Sequence, residues 1–85
     1  MTLQEKFADA QVRVKTLTES PSNETLLELY SLYKQGNNGD VEGKRPGMLK
    51  MVARAKFDAW AARKGTSQEA AMEAYVVLVD KLLAK

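Results

Sequence analysis

Apolar residues recur every three or four positions in four segments of this chain, the spacing that places them on one face of a helix. The first segment, residues 3–17, carries such a stripe: Leu3, Phe7, Ala10, Val14 and Leu17. Thr2 and Glu5 have the spacing of a capping box at its start. Pro21 limits its end, because proline disfavours helix in the residue before it. No segment has the alternating pattern that predicts a strand.

The second helix is predicted to begin after Ser22, which is a good N-cap. Its apolar and aromatic side chains lie at positions i, i+3, i+4 and i+7: Leu26, Leu29, Tyr30 and Tyr33. Gly36 is expected to be the C′ residue that ends the helix. The loop that follows, residues 36–47, is long for a connection between two helices of a small domain. We therefore expect it to be either functional or packed as a compact loop.

Two further helices are predicted at residues 49–63 and 67–83. The third helix has a narrow stripe of small residues: Val52, Ala55, Ala59 and Ala62. Residues 66–69 have the pattern of a second capping box. The fourth helix is expected to bury one face: Ala71, Ala74, Tyr75, Leu78 and Leu82. The four stripes predict an all-α fold, a four-helix bundle in a single domain over residues 1–85, without fixing the order of the helices in space.

The composition argues against most catalytic chemistry. The chain has no cysteine and no histidine, so it lacks thiols, disulfides, the commonest metal ligand and the commonest general base. No pair of carboxylates suggests hydrolysis. We therefore expect no enzyme, no metal site and no cofactor. Because the N-terminus lacks the apolar core of a signal peptide, and no stretch approaches the roughly 18 apolar residues of a membrane span, we expect a cytoplasmic protein.

Positive charge is concentrated in the middle of the chain. Residues 34–64 contain eight Lys or Arg and three Asp or Glu, whereas the rest contains five basic and eight acidic residues. The middle third therefore suits an anionic ligand. An ordinary solvated surface would have the same composition, so both interpretations stay open at this point.

Tyr30, Tyr33 and Lys34 are the first candidate binding residues. Their spacing places all three in one sector of the second helix. One interpretation is packing, with two tyrosines at the edge of the core and a lysine whose stem lies along it. The other is a ligand wall, because phenol hydroxyls and an ammonium group are donors that suit phosphate.

Three further residues are ambiguous in the same way. Lys56 lies in a helical row with apolar neighbours, so its stem can cover the core or its ammonium group can lean toward an anion. Tyr75 lies on the apolar stripe of the fourth helix and needs a partner for its hydroxyl, either a backbone carbonyl or a ligand. Lys15, by default, belongs to a solvated face.

Five strings, in this order and spacing, resemble the acyl-CoA-binding protein family. They are "LYSLYKQ" (residues 29–35), "GDVEGKRPGML" (39–49), "RAKFDAW" (54–60), "KGTS" (64–67) and "AMEAY" (71–75). The resemblance spans nearly the whole chain and implies a four-helix fold that binds long-chain fatty acyl-CoA. Matching motif positions imply these ligand contacts: Lys15, Tyr30, Ser31, Leu32, Tyr33, Lys34, Lys56 and Tyr75. Ser31 and Leu32 fall inside the motif, although the helix turns them partly away.

The resemblance also implies a role. The expected protein is a monomeric carrier that buffers acyl-CoA and meets acyl-CoA-using enzymes and membranes transiently. It would not bind nucleic acid. Apolar residues that either line the acyl groove or form core are Leu26, Leu29, Met48, Leu49, Met51 and Val52. Val52 stands where the family often has a lysine, so one phosphate contact is expected to be lost. Two rival classes remain, a helical protein-interaction module and a nucleic-acid binder.

Overall fold

The computed structural model describes residues 1–84, and it has the all-α architecture that the sequence predicts. Its four helices are α1 (Leu3–Arg13), α2 (Asn23–Asn38), α3 (Met51–Ala61) and α4 (Gln68–Leu83). A 3₁₀ turn, Val14–Thr16, extends α1. Helix α4 packs against both α1 and α2, whereas α3 packs on α2 alone. None of the helices within residues 1–84 is long and apolar enough to cross a membrane.

Helices α2 and α3 run parallel. Tyr30 meets Lys56, and one turn further along both helices Lys34 meets Trp60. A parallel neighbour requires the connecting chain to return along the length of the helix. The 11 residues of α3 span about 16 Å at the usual helical rise. Residues 39–50 make this return, so the length of the predicted loop is explained by the direction of α3.

The core lies where α4 meets α1 and α2. Its buried members are Phe7, Ala10, Leu29, Leu32, Ala71, Tyr75 and Val79. The predicted buried face of α4 was partly wrong: the most buried line runs through Ala71, Tyr75 and Val79, whereas Ala74 is exposed and Leu78 is only partly buried. The reason is that α4 lies between two helices, so its most buried line faces the space between them.

The observed ends of α1 and α2 differ from the predicted ones. Helix α1 ends at Arg13, and the expected last turn is instead 3₁₀. Helix α2 continues past Gly36 to Asn38, and Gly39, with φ of 80°, caps it. Gly36 is therefore not the C′ residue. It is buried inside α2 because Phe7 packs directly against it, and a Cβ atom there would lie 2.9 Å from Phe7 Cζ.

Of the two predicted capping boxes, one is confirmed and the other differs in detail. The Thr2–Glu5 capping box is confirmed, with the Thr2 hydroxyl accepting from the Glu5 N–H at 3.1 Å. The second capping box is wrong in detail, because Ser67 is the N-cap and accepts from Ala70 N–H at 3.1 Å. Helix α3 is shorter than predicted at both ends, and Val52 of its predicted stripe is exposed.

Candidate functional site

A groove of about 460 Å³ opens where the 3₁₀ turn after α1 passes α2 and the ring of Tyr75 on α4. The apolar side chains that line it are Val14, Leu17, Pro21, Leu26 and Leu29. Four of the predicted binding residues also line it: Lys15, Tyr30, Tyr33 and Tyr75. The fold thus brings a lysine and three phenols from three separate segments onto one apolar cavity.

The rings of Tyr33 and Tyr75 both pack against Phe7. The Phe7 and Tyr75 rings meet edge to face with centroids 5.2 Å apart, and the Phe7 and Tyr33 centroids are 6.4 Å apart. Burial, with a smaller effect of Tyr33, raises the pKa of Tyr75 above its ordinary value. The Tyr75 hydroxyl therefore stays protonated at neutral pH. No side chain or backbone group within residues 1–84 hydrogen-bonds it, so this donor remains available to a ligand.

Two lysine ammonium groups lie over aromatic rings where α2 meets α3. Lys56 Nζ is 5.2 Å from the centroid of the Tyr30 ring, and Lys34 Nζ is 4.7 Å from the centroid of Trp60. These are cation–π distances. The ion pairs among residues 1–84 involve only arginines as cations, so neither ammonium group is neutralised by a carboxylate. Both charges are available to an anion bound beside Tyr30.

Ser31 and Leu32 lie on other sides of α2. The Ser31 hydroxyl donates to the Glu28 carbonyl at 2.8 Å and accepts from Arg63 Nε at 3.1 Å, so it joins α2 to the end of α3. Leu32 is part of the hydrophobic core. The structure does not bring these two side chains to the groove, because successive residues of a helix point about 100° apart.

Sequence reasoning missed the contacts that hold the loop in place. Gln35 is fully buried, and its Nε2 donates to Asp40 Oδ1 at 2.9 Å and to the Thr66 carbonyl at 2.7 Å. The Gly65 N–H donates to the same Asp40 oxygen at 2.9 Å. These two hydrogen bonds, the one from Gly65 first, hold the pKa of Asp40 below its ordinary value. The sequence contains one signal for this contact: Gln35 lies three residues after Leu32, so a polar side chain shares a helix face with an apolar one.

The other end of the loop is fixed to α3. Arg45 donates through Nε and Nη2 to both carboxylate oxygens of Asp58, at 2.8 and 2.6 Å. The start of the loop is also held on α3, because Trp60 Nε1 donates to the Gly39 carbonyl at 2.9 Å. The four candidate apolar residues nearby, Met48, Leu49, Met51 and Val52, lie outside the groove and are exposed. Their interpretation as core was therefore wrong, whereas Leu26 and Leu29 do line the groove.

Residues 1–84 contain no group of three or more Asp, Glu, Cys or His side chains that could hold a metal ion.

A family model described as "Acyl CoA binding protein" matches residues 4–79.

Two curated relatives show the extent of the similarity. The chain is 53% identical over 83 residues to "Acyl-CoA-binding domain-containing protein 6" of Arabidopsis thaliana, which covers 98% of this chain and 90% of the relative. It is 49% identical over 85 residues to "Acyl-CoA-binding protein homolog 1" of Caenorhabditis elegans, which covers 100% of this chain and 96% of the relative. Both alignments run through all four helices.

A solved crystal structure has the same fold. The crystal structure of Oryza sativa Acyl-CoA-Binding Protein 2 superposes with a TM-score of 0.93 at 45% identity, over 96% of this chain and 89% of that one. At this identity the structural likeness and the sequence likeness point to the same relationship.

Proposed function

The chain belongs to the acyl-CoA-binding protein family, and from this premise we propose that it binds medium- to long-chain fatty acyl-CoA and acts as a carrier and pool buffer in the cytoplasm. The family is one of binding proteins. The observation that carries the proposal for this chain is the groove, where unpaired lysines and phenol donors adjoin an apolar cavity. An acyl-CoA has the same two-part character, with phosphates at one end and hydrocarbon at the other.

We assign the nucleotide end to the aromatic and basic residues. Lys56 and Lys34 neutralise phosphate, Lys15 adds a third cation at the groove, and Tyr75 donates its free hydroxyl. Each charge-assisted hydrogen bond contributes about 1.5–3 kcal/mol. The Tyr30 ring offers an apolar face to adenine. Ser31 and Leu32 act indirectly in this proposal, by fixing how α2 packs.

The acyl chain is assigned to the apolar side of α2 and α3. Leu26 lies one turn before Tyr30, and Val52 lies one turn before Lys56. Because the helices run parallel and Tyr30 meets Lys56, Leu26 and Val52 border the same path toward the helix starts. Methionine adapts to irregular ligand shapes, which suits the neighbouring Met51 to this path. Leu26 is half exposed and Val52 is exposed, so both have apolar surface that a hydrocarbon chain would cover.

Calorimetric titration with CoA and with acyl-CoAs of increasing length tests the proposal. Each buried CH₂ contributes up to about 0.8 kcal/mol, so affinity is expected to rise by up to roughly 15-fold for every two carbons until the path is full. Equal, weak binding of CoA and palmitoyl-CoA would contradict a buried acyl chain. Absence of binding to either would favour the helical protein-interaction module instead.

A substitution tests the phosphate contact. Lys56→Ala removes the ammonium group above Tyr30 and is expected to weaken palmitoyl-CoA binding by roughly 10- to 100-fold, because one charge-assisted contact is lost. Lys6→Ala is the matched control, since Lys6 is exposed on α1 and does not line the groove. Unchanged affinity of a folded Lys56→Ala variant would show that this lysine does not hold phosphate.

A further inference from the structure

The end of α2 carries the pair Asn38–Gly39, which the proposed binding function does not use. Asn38 is the last residue of the helix, and Gly39, with φ of 80°, caps it. The Asn38 side chain is exposed. An asparagine followed by glycine can undergo a spontaneous chemical change, because glycine has no Cβ to hinder its nitrogen from approaching the asparagine amide.

The change is an intramolecular acyl transfer, which is favoured because both reacting groups lie in adjacent residues. The backbone nitrogen of Gly39 attacks Cγ of Asn38 and loses its proton to solvent base. A new N–Cγ bond forms, and the side-chain nitrogen leaves as ammonia. Water then adds to either carbonyl carbon of the resulting succinimide ring and opens it, which leaves aspartate or isoaspartate at residue 38. The reaction consumes only water.

Hydrogen bonds restrain this attack in the folded protein. The Gly39 N–H donates to the Gln35 carbonyl at 3.0 Å, so the attacking nitrogen is held in the last turn of the helix. The Gly39 carbonyl is held as well, because Trp60 Nε1 donates to it at 2.9 Å. The nitrogen can turn toward the Asn38 side chain only when the Gly39–Gln35 hydrogen bond breaks.

A side chain of α4 opposes the opening of this helix end. Gln68 Nε2 donates at 3.2 Å to the carbonyls of both Gly36 and Asn37, so it ties the last turn of α2 to the start of α4. Helix ends open locally at a lower free energy than global unfolding requires. The attack therefore proceeds through local openings, which the Gln68 hydrogen bonds make rarer.

The other two asparagines of the chain lack this combination of features. Asn37 is exposed in the same turn of α2, but the residue that follows it is Asn38, whose Cβ hinders its nitrogen. Asn23 is exposed at the start of α2, and Glu24 follows it. Both therefore serve as internal references within one protein sample.

We propose that Asn38 is a site of spontaneous deamidation, and that the hydrogen bonds at the end of α2 set its rate. One neutral amide becomes a carboxylate, so the formal net charge falls from +2 to +1. The new carboxylate lies at the end of the helix where free carbonyls are already partly negative. Isoaspartate also inserts a methylene group into the main chain directly before Gly39.

The consequence for the ligand site rests on the proposed function. The Gly39 carbonyl anchors Trp60, and Lys34 Nζ lies 4.7 Å from the centroid of the Trp60 ring. A longer main chain before Gly39 displaces that carbonyl and loosens the ring under Lys34. The isoaspartate form, separated by ion exchange, is expected to bind palmitoyl-CoA roughly 3- to 10-fold more weakly than the Asn38→Asp variant, which has the same charge without the extra methylene.

Incubation of the pure protein at mildly alkaline pH tests the site, because base accepts the proton of the attacking nitrogen. Peptide mass mapping is expected to show a gain of about 1 Da at Asn38 and none at Asn37 or Asn23. Asn38→Gln is the matched variant and is expected to show no gain, since its longer side chain closes a ring far more slowly. In concentrated urea the wild-type rate is expected to rise roughly tenfold or more.

Two variants test the role of the helix end. Gln68→Ala is expected to raise the rate in the folded protein roughly 2- to 10-fold and to leave the rate in urea unchanged, because a hydrogen bond that opposes opening is lost. Val79→Ala is the control. Val79 is fully buried on α4, roughly 16 Å beyond Gln68 at the usual helical rise, so the variant lowers global stability and is expected to react like wild type.

Several results would overturn the proposal. No gain of mass at Asn38, either folded or in urea, would reject the site. Equal rates in the folded protein and in urea would reject its control by the helix end, and so would Val79→Ala that reacts faster than Gln68→Ala. Failure of the unmodified protein to bind palmitoyl-CoA would reject the proposed function alone, since the mass measurement needs no ligand.

Discussion

At Gly36 local helix propensity and tertiary packing oppose each other. Alanine is favoured over glycine in a helix interior by about 1 kcal/mol. Here, however, the added Cβ would lie 2.9 Å from Phe7 Cζ and 3.2 Å from Met72 Cγ. Overpacking of a core typically costs about 1–3 kcal/mol. We predict that Gly36→Ala lowers the free energy of unfolding by roughly 1 kcal/mol, measured by urea denaturation.

Gly47→Ala is the control for that experiment. Nothing lies within 4 Å of a Cβ at Gly47, so the substitution only restricts the unfolded chain and is expected to be neutral or slightly stabilising. A Gly36→Ala variant more stable than wild type would show that Phe7 yields at little cost. Because Phe7 also supports Tyr33 and Tyr75, such movement would be detectable as altered acyl-CoA affinity.

Substitutions of Tyr75 distinguish a role in core packing from a contact with the ligand. Tyr75→Phe removes only a hydroxyl that has no partner within residues 1–84, so the free energy of unfolding is expected to change by less than about 0.5 kcal/mol. Affinity for palmitoyl-CoA is expected to fall roughly 3- to 10-fold, because one hydrogen bond to the ligand is lost. Titration and urea denaturation of the same preparation measure both quantities.

Tyr75→Leu provides the contrasting variant. It deletes the ring that meets Phe7 edge to face, and it is expected to destabilise the fold by about 2 kcal/mol or more. If Tyr75→Phe binds palmitoyl-CoA as tightly as wild type, the tyrosine serves the core alone.

Residues whose roles depend on local spacing were the most predictable. Tyr30 and Tyr33 share the groove because positions i and i+3 lie on one face of any helix. The Lys34–Trp60 contact was not predictable in the same way, because it depends on how α3 crosses α2. Gly36 shows the same limit, since the residue type fits a helix end and only the approach of Phe7 explains its burial.

Among the elements, the loop at residues 39–50 depends most on one ionised side chain. Asp40 accepts from Gly65 N–H and Gln35 Nε2, and both hydrogen bonds lower its pKa from the usual 3.8. A carboxyl whose pKa is lowered by folding stabilises the folded state above its unfolded pKa. That stabilisation is lost as pH falls through the lowered folded pKa.

We therefore predict that Asp40→Asn is less stable than wild type at pH 7 and that the difference shrinks as pH falls below 3.8. Urea midpoints measured stepwise from pH 7 downward give this difference. Glu42→Gln is the control, because Glu42 is exposed in the same loop and should follow the wild-type pH profile. A difference between Asp40→Asn and wild type that stays constant with pH would exclude the carboxylate as its cause.

Periodicity predicted the bounds of α1 and α4 to within a few residues, but it did not predict the direction of α3. Apolar spacing identifies the face that a helix buries and carries no information about which neighbour it meets. Val52, the first residue of the small stripe of α3, is exposed, whereas Trp60 near the end of the helix is buried. The parallel pairing with α2 follows from tertiary contacts between distant residues.

For the whole molecule, the proposed ligand should act as a stabiliser. A ligand that binds only the folded state at about 100 times its Kd adds about 2.7 kcal/mol to the free energy of unfolding. For a chain of this size that corresponds to a rise in Tm of at least about 10 °C. We expect palmitoyl-CoA to produce this rise in a thermal melt and CoA at equal concentration to produce a smaller one.

The comparison between the two ligands is the informative part. Equal shifts of Tm would mean that only the nucleotide end is held, and the acyl path assigned to Leu26 and Val52 would be wrong. No shift with either ligand would contradict acyl-CoA binding itself. The family and the fold are established independently of this result.

The groove is lined by Lys15 after α1, by the tyrosines of α2 and by Tyr75 of α4, so its parts come from segments far apart along the chain. It is complete only after α4 has docked between α1 and α2. During synthesis the emerging chain therefore has no intact binding site until residue 75 has left the ribosome. Contacts formed after the folding barrier mainly slow unfolding. A bound acyl-CoA should therefore lengthen the lifetime of the native protein and leave the rate at which it folds nearly unchanged.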